Sequence, residues 1–189
     1  MKYLFKLLFA MLIFLPFLIL SQCLNGPEIA DDYQFKDRWS YIVIHHSGRG
    51  KDTLNSIDRY HKEVKHWDGI GYHFIIGNGI NTEDGKTEMT ARYKQAKDGA
   101  HALTVDNFYN KNALGLCLIG NFNKSNPTIK QKNSLIKLVR ELQELYEIPI
   151  KNILFHSDTK ATECPGKNFP KKEILDRLTN KILKYKLEQ

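Results

Sequence analysis

The sequence has few of the residues that define specialised classes of protein. Three cysteines in 189 residues are too few for a scaffold held together by disulfides. The longest apolar run, residues 7–20, contains Pro16 and falls short of the ~20 residues that a membrane-spanning helix needs. With 42% apolar and 26% charged residues, the composition excludes wholesale disorder and fibrous repeats. The length therefore predicts one globular domain behind a short hydrophobic segment.

The amino-terminal segment is typical of an export signal. Lys2 and Lys6 precede the apolar run, and polar residues follow it. We therefore expect residues 1–22 to be a signal peptide that directs the protein to a bacterial cell envelope, either the periplasm or the outer membrane. An uncleaved amino-terminal anchor is the alternative interpretation.

The sequence around Cys23 leaves two kinds of maturation open. Leu20-Ser21-Gln22-Cys23 resembles a bacterial lipobox, in which the cysteine is acylated and becomes the new amino terminus. Gln22 departs from the small residue usual before that cysteine, so ordinary signal cleavage is the alternative. Acylation of Cys23 would attach the protein to a membrane.

The rest of the chain divides into a linker and a folded domain. Residues 23–37 are polar with turn formers, which predicts a linker, and the domain occupies residues 38–189. Residues 77–98 lack periodicity, and we expect turns and a hairpin there. β-branched and apolar runs predict strands over 41–44, 72–76, 114–120 and 153–155.

Helical periodicity alternates with these strands. A capping residue at Asp52 or Thr53 begins one helix, and Thr128, with Gln131 placed for a capping box, begins a long second helix. The alternation predicts an α/β protein whose mixed sheet is covered by helices. A last helix follows Pro170, with Ile174, Leu178, Ile182 and Tyr185 expected to face inward.

Two of the seven histidines stand where predicted strands end. His45 follows the first strand and His156 follows the fourth, and open α/β sheets place ligands at such ends. Cys164 comes eight residues after His156, so the loop between them can bring imidazole and thiolate onto one ion. Three N and S ligands with an open fourth position hold catalytic zinc. On spacing alone, histidines bonded to backbone carbonyls in the core are the alternative.

Five motifs in order carry a resemblance to a known family. Together they span roughly residues 38–170 and closely resemble the type 2 N-acetylmuramoyl-L-alanine amidases and the related peptidoglycan recognition proteins. The motifs are Ile42-Val43-Ile44-His45-His46-Ser47, Trp67-Asp68-Gly69-Ile70-Gly71-Tyr72-His73-Phe74, Gly99-Ala100-His101, Leu118-Ile119-Gly120-Asn121-Phe122, and His156-Ser157-Asp158 with Thr162-Glu163-Cys164-Pro165-Gly166.

The resemblance implies both a fold and a site. The fold is a twisted mixed sheet flanked by helices, with a zinc site in a groove at the strand ends. One zinc ion maps onto His45, His156 and Cys164, and assistance to catalysis maps onto Tyr72. Thr162 stands two residues before the cysteine, as in active recognition proteins, which predicts a hydrogen-bonding role near the developing oxyanion.

These observations predict a zinc-dependent amidase of cell-wall turnover or recycling. Its expected substrate bond joins N-acetylmuramic acid to L-alanine, its expected partners are peptidoglycan or muropeptides, and we expect a monomer. His101 is expected to line the substrate groove. A non-catalytic peptidoglycan-binding recognition module is the alternative, and an effector delivered to other cells ranks third. Nucleic acid is not an expected partner, because the sequence shows no RNP, zinc-finger or helix-turn-helix signature.

Overall fold

The computed structural model describes residues 37–187, and it describes their side chains as far as residue 180. The predicted signal peptide, residues 23–36 of the predicted linker and Cys23 lie outside the described residues. The side chains predicted to face inward at Ile182 and Tyr185 lie outside the described side chains. Within the described part of the chain, no helix is both long enough and apolar enough to cross a membrane.

A five-stranded mixed sheet forms the centre of the domain. Its strands are β1 (Tyr41–His46), β2 (Phe74–Ile76), β3 (Thr87–Met89), β4 (Ala113–Leu118) and β5 (Ile153–Phe155). The strand order is β3-β2-β4-β1-β5. β2, β4, β1 and β5 run parallel, and β3 pairs antiparallel with β2. The β2–β3 hairpin has its turn and its second strand within residues 77–98, where a hairpin was predicted, and its first strand just before them. The mixed sheet confirms the predicted class.

Three long helices confirm the helices predicted from periodicity. Two of them begin with capping boxes, at Thr53 and at Thr128. The box at Thr128 was predicted, and of the two candidate caps at the first helix the structure has Thr53. The other helices are single turns, which are too short to show a hydrophobic period. The helices are α1 (Leu54–Glu63), α2 (Ala91–Lys94), α3 (Phe108–Asn112), α4 (Ile129–Tyr146), α5 (His156–Thr159) and α6 (Lys171–Leu187), with a 3₁₀ turn over Ile150–Asn152.

The sheet positions the site through strand alternation. Along β1, Val43 and His45 point to one face and Ile44 to the other. Val43 packs with Ala102 and with Ala113 of β4 on the His45 face. The loop that contains Ala102 therefore covers the same side of the sheet as His45.

Helix α1 covers the part of the sheet beyond β4. Its Ile57 packs in one cluster with Ile75 of β2 and Cys117 of β4. In the parallel β1–β4 register, Cys117 lies opposite His45, so both side chains share a face. The helices α4 and α6 contact each other, and α4 also contacts β2.

Candidate metal centre and its cleft

Three potential metal ligands converge at the carboxyl ends of β1 and β5. The register pairs Ile44 with Phe155, so His45 and His156 follow at equivalent positions on neighbouring parallel strands. Cys164 lies in the loop after α5. One ligand atom from each of His45, His156 and Cys164 lies within 4.8 Å of the other two. The structure thus brings together the three side chains that the sequence indicated.

The loop that carries Cys164 folds back onto the strand ends. The Ser157 N–H donates to the Cys164 carbonyl at 2.9 Å. The Cys164 Sγ accepts from the His46 N–H at 3.3 Å. Burial raises the pKa of the Cys164 thiol to about 11, although the His46 amide and two nearby lysines oppose the rise. Without a cation this thiol is protonated at neutral pH, and a metal ion would displace the proton.

The surroundings of His156 show whether a metal ion fits between the three residues. Its Nε2 is buried and has no hydrogen-bond partner among the described residues, an arrangement that costs free energy unless something else meets the nitrogen. Its ring centroid lies 4.4 Å from that of His45. Burial, followed by Lys160 and His46, lowers the pKa of His156 to about 4, so the ring is neutral at pH 7. A neutral imidazole beside a second imidazole and a thiol fits the ligand set of zinc.

His45 is the most buried of the three, with 1% of its surface exposed. Its Nδ1 lies 3.8 Å from the Cys164 Sγ, and its Nε2 lies 3.0 Å from the Nδ1 of His101. Burial first, and then the nearby His101 and His156, hold the pKa of His45 well below its usual value. His45 is therefore neutral, and its Nδ1 lies on the side of Cys164.

Tyr72 borders this group of ligands. It precedes β2, and its ring centroid lies 5.2 Å from that of His45. The ring is half-buried and packs on the cluster that contains Ile75 and Cys117. Burial raises the pKa of Tyr72 well above its usual value, and Cys117 and Cys164 raise it further. The hydroxyl is therefore a donor at neutral pH, and its catalytic role stays a prediction.

Thr162 has a contact within the ligand loop. Its Oγ1 accepts from the Cys164 N–H at 3.3 Å, so it holds the loop beside the ligand. Thr162 lines a neighbouring cavity of about 800 Å³ together with Ser157. The adjacent Glu163 bonds elsewhere, since its Oε2 accepts from Asn123 Nδ2 at 2.8 Å. The predicted role of Thr162 near an oxyanion stays a prediction.

A cleft of about 650 Å³ opens above His156 and Tyr72. The motifs in the sequence did not indicate the side of the cleft that α1 forms. On that side the guanidinium of Arg49 lies 4.8 Å from the ring centre of Tyr60. His101 is among the lining residues, but only 7% of its surface is exposed, so a direct substrate contact stays a prediction. The other residues lining the cleft are Ser47, Gly48, Asp52, Ile57, His61, Lys65, Trp67, Ala100, Leu103, Asn110 and Lys160.

His61 lies on the same side of the cleft, which α1 forms, and only 7% of its surface is exposed. The ring lies 4.6 Å from that of Trp67, and Nδ1 accepts from the Gly71 N–H at 3.0 Å. His61 is buried because the chain after α1 turns back over the helix. His73 is fully buried.

Comparison with known proteins agrees with the motifs. A family model described as N-acetylmuramoyl-L-alanine amidase matches residues 35–167. The chain is 31% identical over 138 residues to peptidoglycan-recognition protein SC2 of Drosophila melanogaster. The aligned region covers 68% of this chain and 69% of that protein. It is 32% identical over 143 residues to the endolysin of Escherichia phage T7, which covers 70% of this chain and 85% of the endolysin.

A solved structure shares the fold. It is N-acetylmuramoyl-L-alanine amidase LysC from Clostridium intestinale, which is 36% identical and superimposes with a TM-score of 0.66. The superposition covers 77% of this chain and 88% of that chain. These similarities confirm the resemblance that the sequence motifs indicated.

Proposed function

The chain belongs to the N-acetylmuramoyl-L-alanine amidase family, and we propose that it is a zinc-dependent peptidoglycan amidase acting in bacterial cell-wall turnover or recycling. The bond that it hydrolyses is the amide between the lactyl group of N-acetylmuramic acid and L-alanine. The observation that carries this proposal is the convergence of His45, His156 and Cys164. Of these three residues, His156 lines the cleft. One zinc ion per chain would be held by these three residues.

The residues around the proposed zinc site suit amide hydrolysis. A zinc ion held by His45, His156 and Cys164 would supply Lewis acidity, which would polarise a carbonyl and lower the pKa of water to about 7. Tyr72, protonated at neutral pH, donates its hydroxyl hydrogen to the oxygen that gains negative charge. Thr162 holds the backbone amide of Cys164 and so keeps the thiolate in place. Arg49 and Lys65 beside the cleft favour a substrate that carries carboxylates.

A recognition module without catalysis is the second candidate, and the similarity to a peptidoglycan-recognition protein favours it. Binding to peptidoglycan by itself requires neither a thiol ligand nor an unpartnered imidazole nitrogen. The retention of Cys164 and the buried Nε2 of His156 therefore favours the enzyme.

The test is digestion of purified peptidoglycan by the full-length chain, with the released products identified by mass. We expect stem peptides with a free L-alanine amino group, and intact glycan strands. Activity should disappear after chelation and return with added Zn²⁺. Zinc-loaded protein that binds peptidoglycan without releasing peptides would support the recognition module, and full activity without metal would contradict the zinc mechanism.

We also propose that the protein acts in the cell envelope after export. This proposal rests on the apolar run and the lipobox-like sequence before Cys23. Intact-mass analysis of membrane-extracted protein should show either a diacylglycerol-modified Cys23 or a mature chain that begins elsewhere after signal cleavage. A full-length chain retained in the cytoplasm would contradict export.

A further inference from the structure

Two histidines form a continuous hydrogen-bonded path from the sheet to the ligand group. The Nε2 of His45 lies 3.0 Å from the Nδ1 of His101. On its other side, the Nε2 of His101 lies 3.2 Å from the carbonyl oxygen of Ala113. Both rings are buried, at 1% and 7% exposure, so water does not compete for these contacts.

The surroundings hold the His101 ring in one orientation. A Cβ at Gly115 would lie 2.4 Å from the Cδ2 of His101, and a Cβ at Gly99 would also lie 2.4 Å from that atom. Real Cβ atoms do not approach so closely, so two glycines create the slot that the ring fills. The backbone is fixed as well, because Asn110 Oδ1 accepts from the N–H groups of His101 and Ala102 at 2.8 Å each.

The path also decides where the hydrogens lie. A carbonyl oxygen can only accept, so the hydrogen of a neutral His101 must be on Nε2, facing Ala113. The Nδ1 of His101 then carries a lone pair, and the hydrogen of His45 must be on Nε2. This leaves the Nδ1 of His45 with a lone pair on the side of Cys164, 3.8 Å from its sulfur. The opposite tautomer would direct a hydrogen toward the ligand group.

We infer that His101 is a positioning residue that fixes the tautomer and ring orientation of His45, so that Nδ1 of His45 keeps its lone pair on the side of Cys164, where it could bind a metal ion. The inference deepens the proposed function and depends on it for the identity of the ion. Partners of this kind raise metal affinity because they remove the alternative ring states of the ligand. The interaction joins residues 56 positions apart, and it depends on the slot between Gly99 and Gly115.

His73 provides a matched comparison inside the same core. Its ring centroid lies 5.7 Å from that of His101, and its nitrogens meet the Gly115 N–H and the Lys97 carbonyl. It is as buried as His101, and its hydrogen bonds go to the backbone, not to His45. Loss of His73 therefore reports the effect of removing a buried imidazole without removing the contact to His45.

The test compares zinc affinity among His101→Leu, His101→Asn and His73→Leu in the full-length chain. His101→Leu removes the acceptor for His45 and should weaken zinc binding by about 10–100-fold, measured by competition with a chromophoric chelator. In His101→Asn, the amide oxygen occupies nearly the place of Nδ1, so most of the affinity should remain. His73→Leu should keep wild-type affinity. Equal losses in the Leu and Asn variants, or no loss in either, would overturn the positioning role.

A second measurement needs neither zinc nor activity. In metal-free protein with labelled histidines, ring ¹⁵N shifts should show His45 as a single Nε2–H tautomer, and His101→Leu should give a mixture of tautomers. A wild-type His45 that is already mixed overturns the inference. The two proposals fail separately, because an unmutated chain that binds no zinc contradicts the metal centre while the tautomer measurement still decides the role of His101.

Discussion

Cys164 differs from the two histidines beside it because its thiol must lose a proton before it can bind a metal ion. Replacement of Cys164 by serine keeps the size of the side chain but substitutes a much poorer zinc donor. We expect Cys164→Ser to lose most of its zinc at equimolar metal, as measured by elemental analysis. The matched control is Cys117→Ala, which removes a buried thiol outside the ligand group. Equal zinc loss in both variants would mean that Cys164 is not a ligand.

A Tyr72 variant should separate catalysis from metal binding, because it should lose activity and keep its zinc. Tyr72→Phe keeps the ring that packs beside His45 and removes only the hydroxyl, so zinc content and fold should survive. Turnover should fall by roughly 10² or more if the hydroxyl stabilises the oxyanion. Tyr41→Phe, at the other end of β1 from His45, controls for loss of a phenol. Wild-type turnover by Tyr72→Phe would return Tyr72 to a packing role.

At the scale of single elements, the start of α4 depends on a reciprocal pair of hydrogen bonds. Thr128 Oγ1 accepts from the Gln131 N–H at 2.9 Å, and Gln131 Oε1 accepts from the Thr128 N–H at 3.1 Å. Thr128 Oγ1 also donates to Asp84 Oδ1 at 2.6 Å, which ties the helix to the loop before β3. The Thr128 hydroxyl therefore caps its own helix and also joins that helix to a loop that is distant in the sequence.

Thr128→Ala should therefore lower the free energy of unfolding by about 1 kcal/mol, the usual cost of losing a helix cap. Urea denaturation of the full-length chain measures the change. Thr128→Ser retains a hydroxyl and should lose much less. A serine variant as unstable as the alanine variant would show that the cap hydroxyl contributes little and that the threonine methyl matters instead.

At the scale of the whole molecule, buried neutral histidines predict how stability depends on pH. Burial, followed by the charge of Arg92, lowers the pKa of His61 to about 4, although Asp58 opposes this shift. Burial lowers the pKa of His73 to about 3, with Arg92 and Arg38 adding to the effect and the Lys97 carbonyl opposing it. In the unfolded chain both rings titrate near their ordinary value of about 6.5.

These pKa values give the direction in which the stability of the fold changes with pH. Because the folded-state pKa lies below the unfolded one, stability is fully present above about pH 6.5 and is lost as the pH falls toward the folded-state value. Each ring should contribute a slope of up to about 1.4 kcal/mol per pH unit in that window. Urea denaturation with chelator between pH 6.5 and pH 4.5 measures it. His61→Gln should reduce the slope, and His66→Gln controls for loss of an exposed ring. An unchanged slope in His61→Gln would contradict the burial argument.

The features of this protein that depend on neighbouring residues could be predicted from the sequence. Hydrophobic periodicity and capping residues are local, so they located β1, α1 and α4. They placed Thr128 at the start of α4 and either Asp52 or Thr53 at the start of α1. The strand-end positions of His45 and His156, with the spacing from His156 to Cys164, indicated three ligands joined by a loop that folds back. The motifs that resemble the amidase family pointed to the same three residues. The single-turn helices α2 and α3 were missed because four or five residues show no period.

The surroundings of these residues depend on how distant parts of the chain pack together. The contact between His101 and His45 depends on the register of β4 and on two positions without a Cβ, Gly99 and Gly115. The burial of His61 depends on how the chain after α1 returns over the helix. Such environments are created by groups distant in the sequence, and no local pattern encodes which of them will meet. The ligands could therefore be predicted from the sequence, whereas the contact between His101 and His45 required the fold.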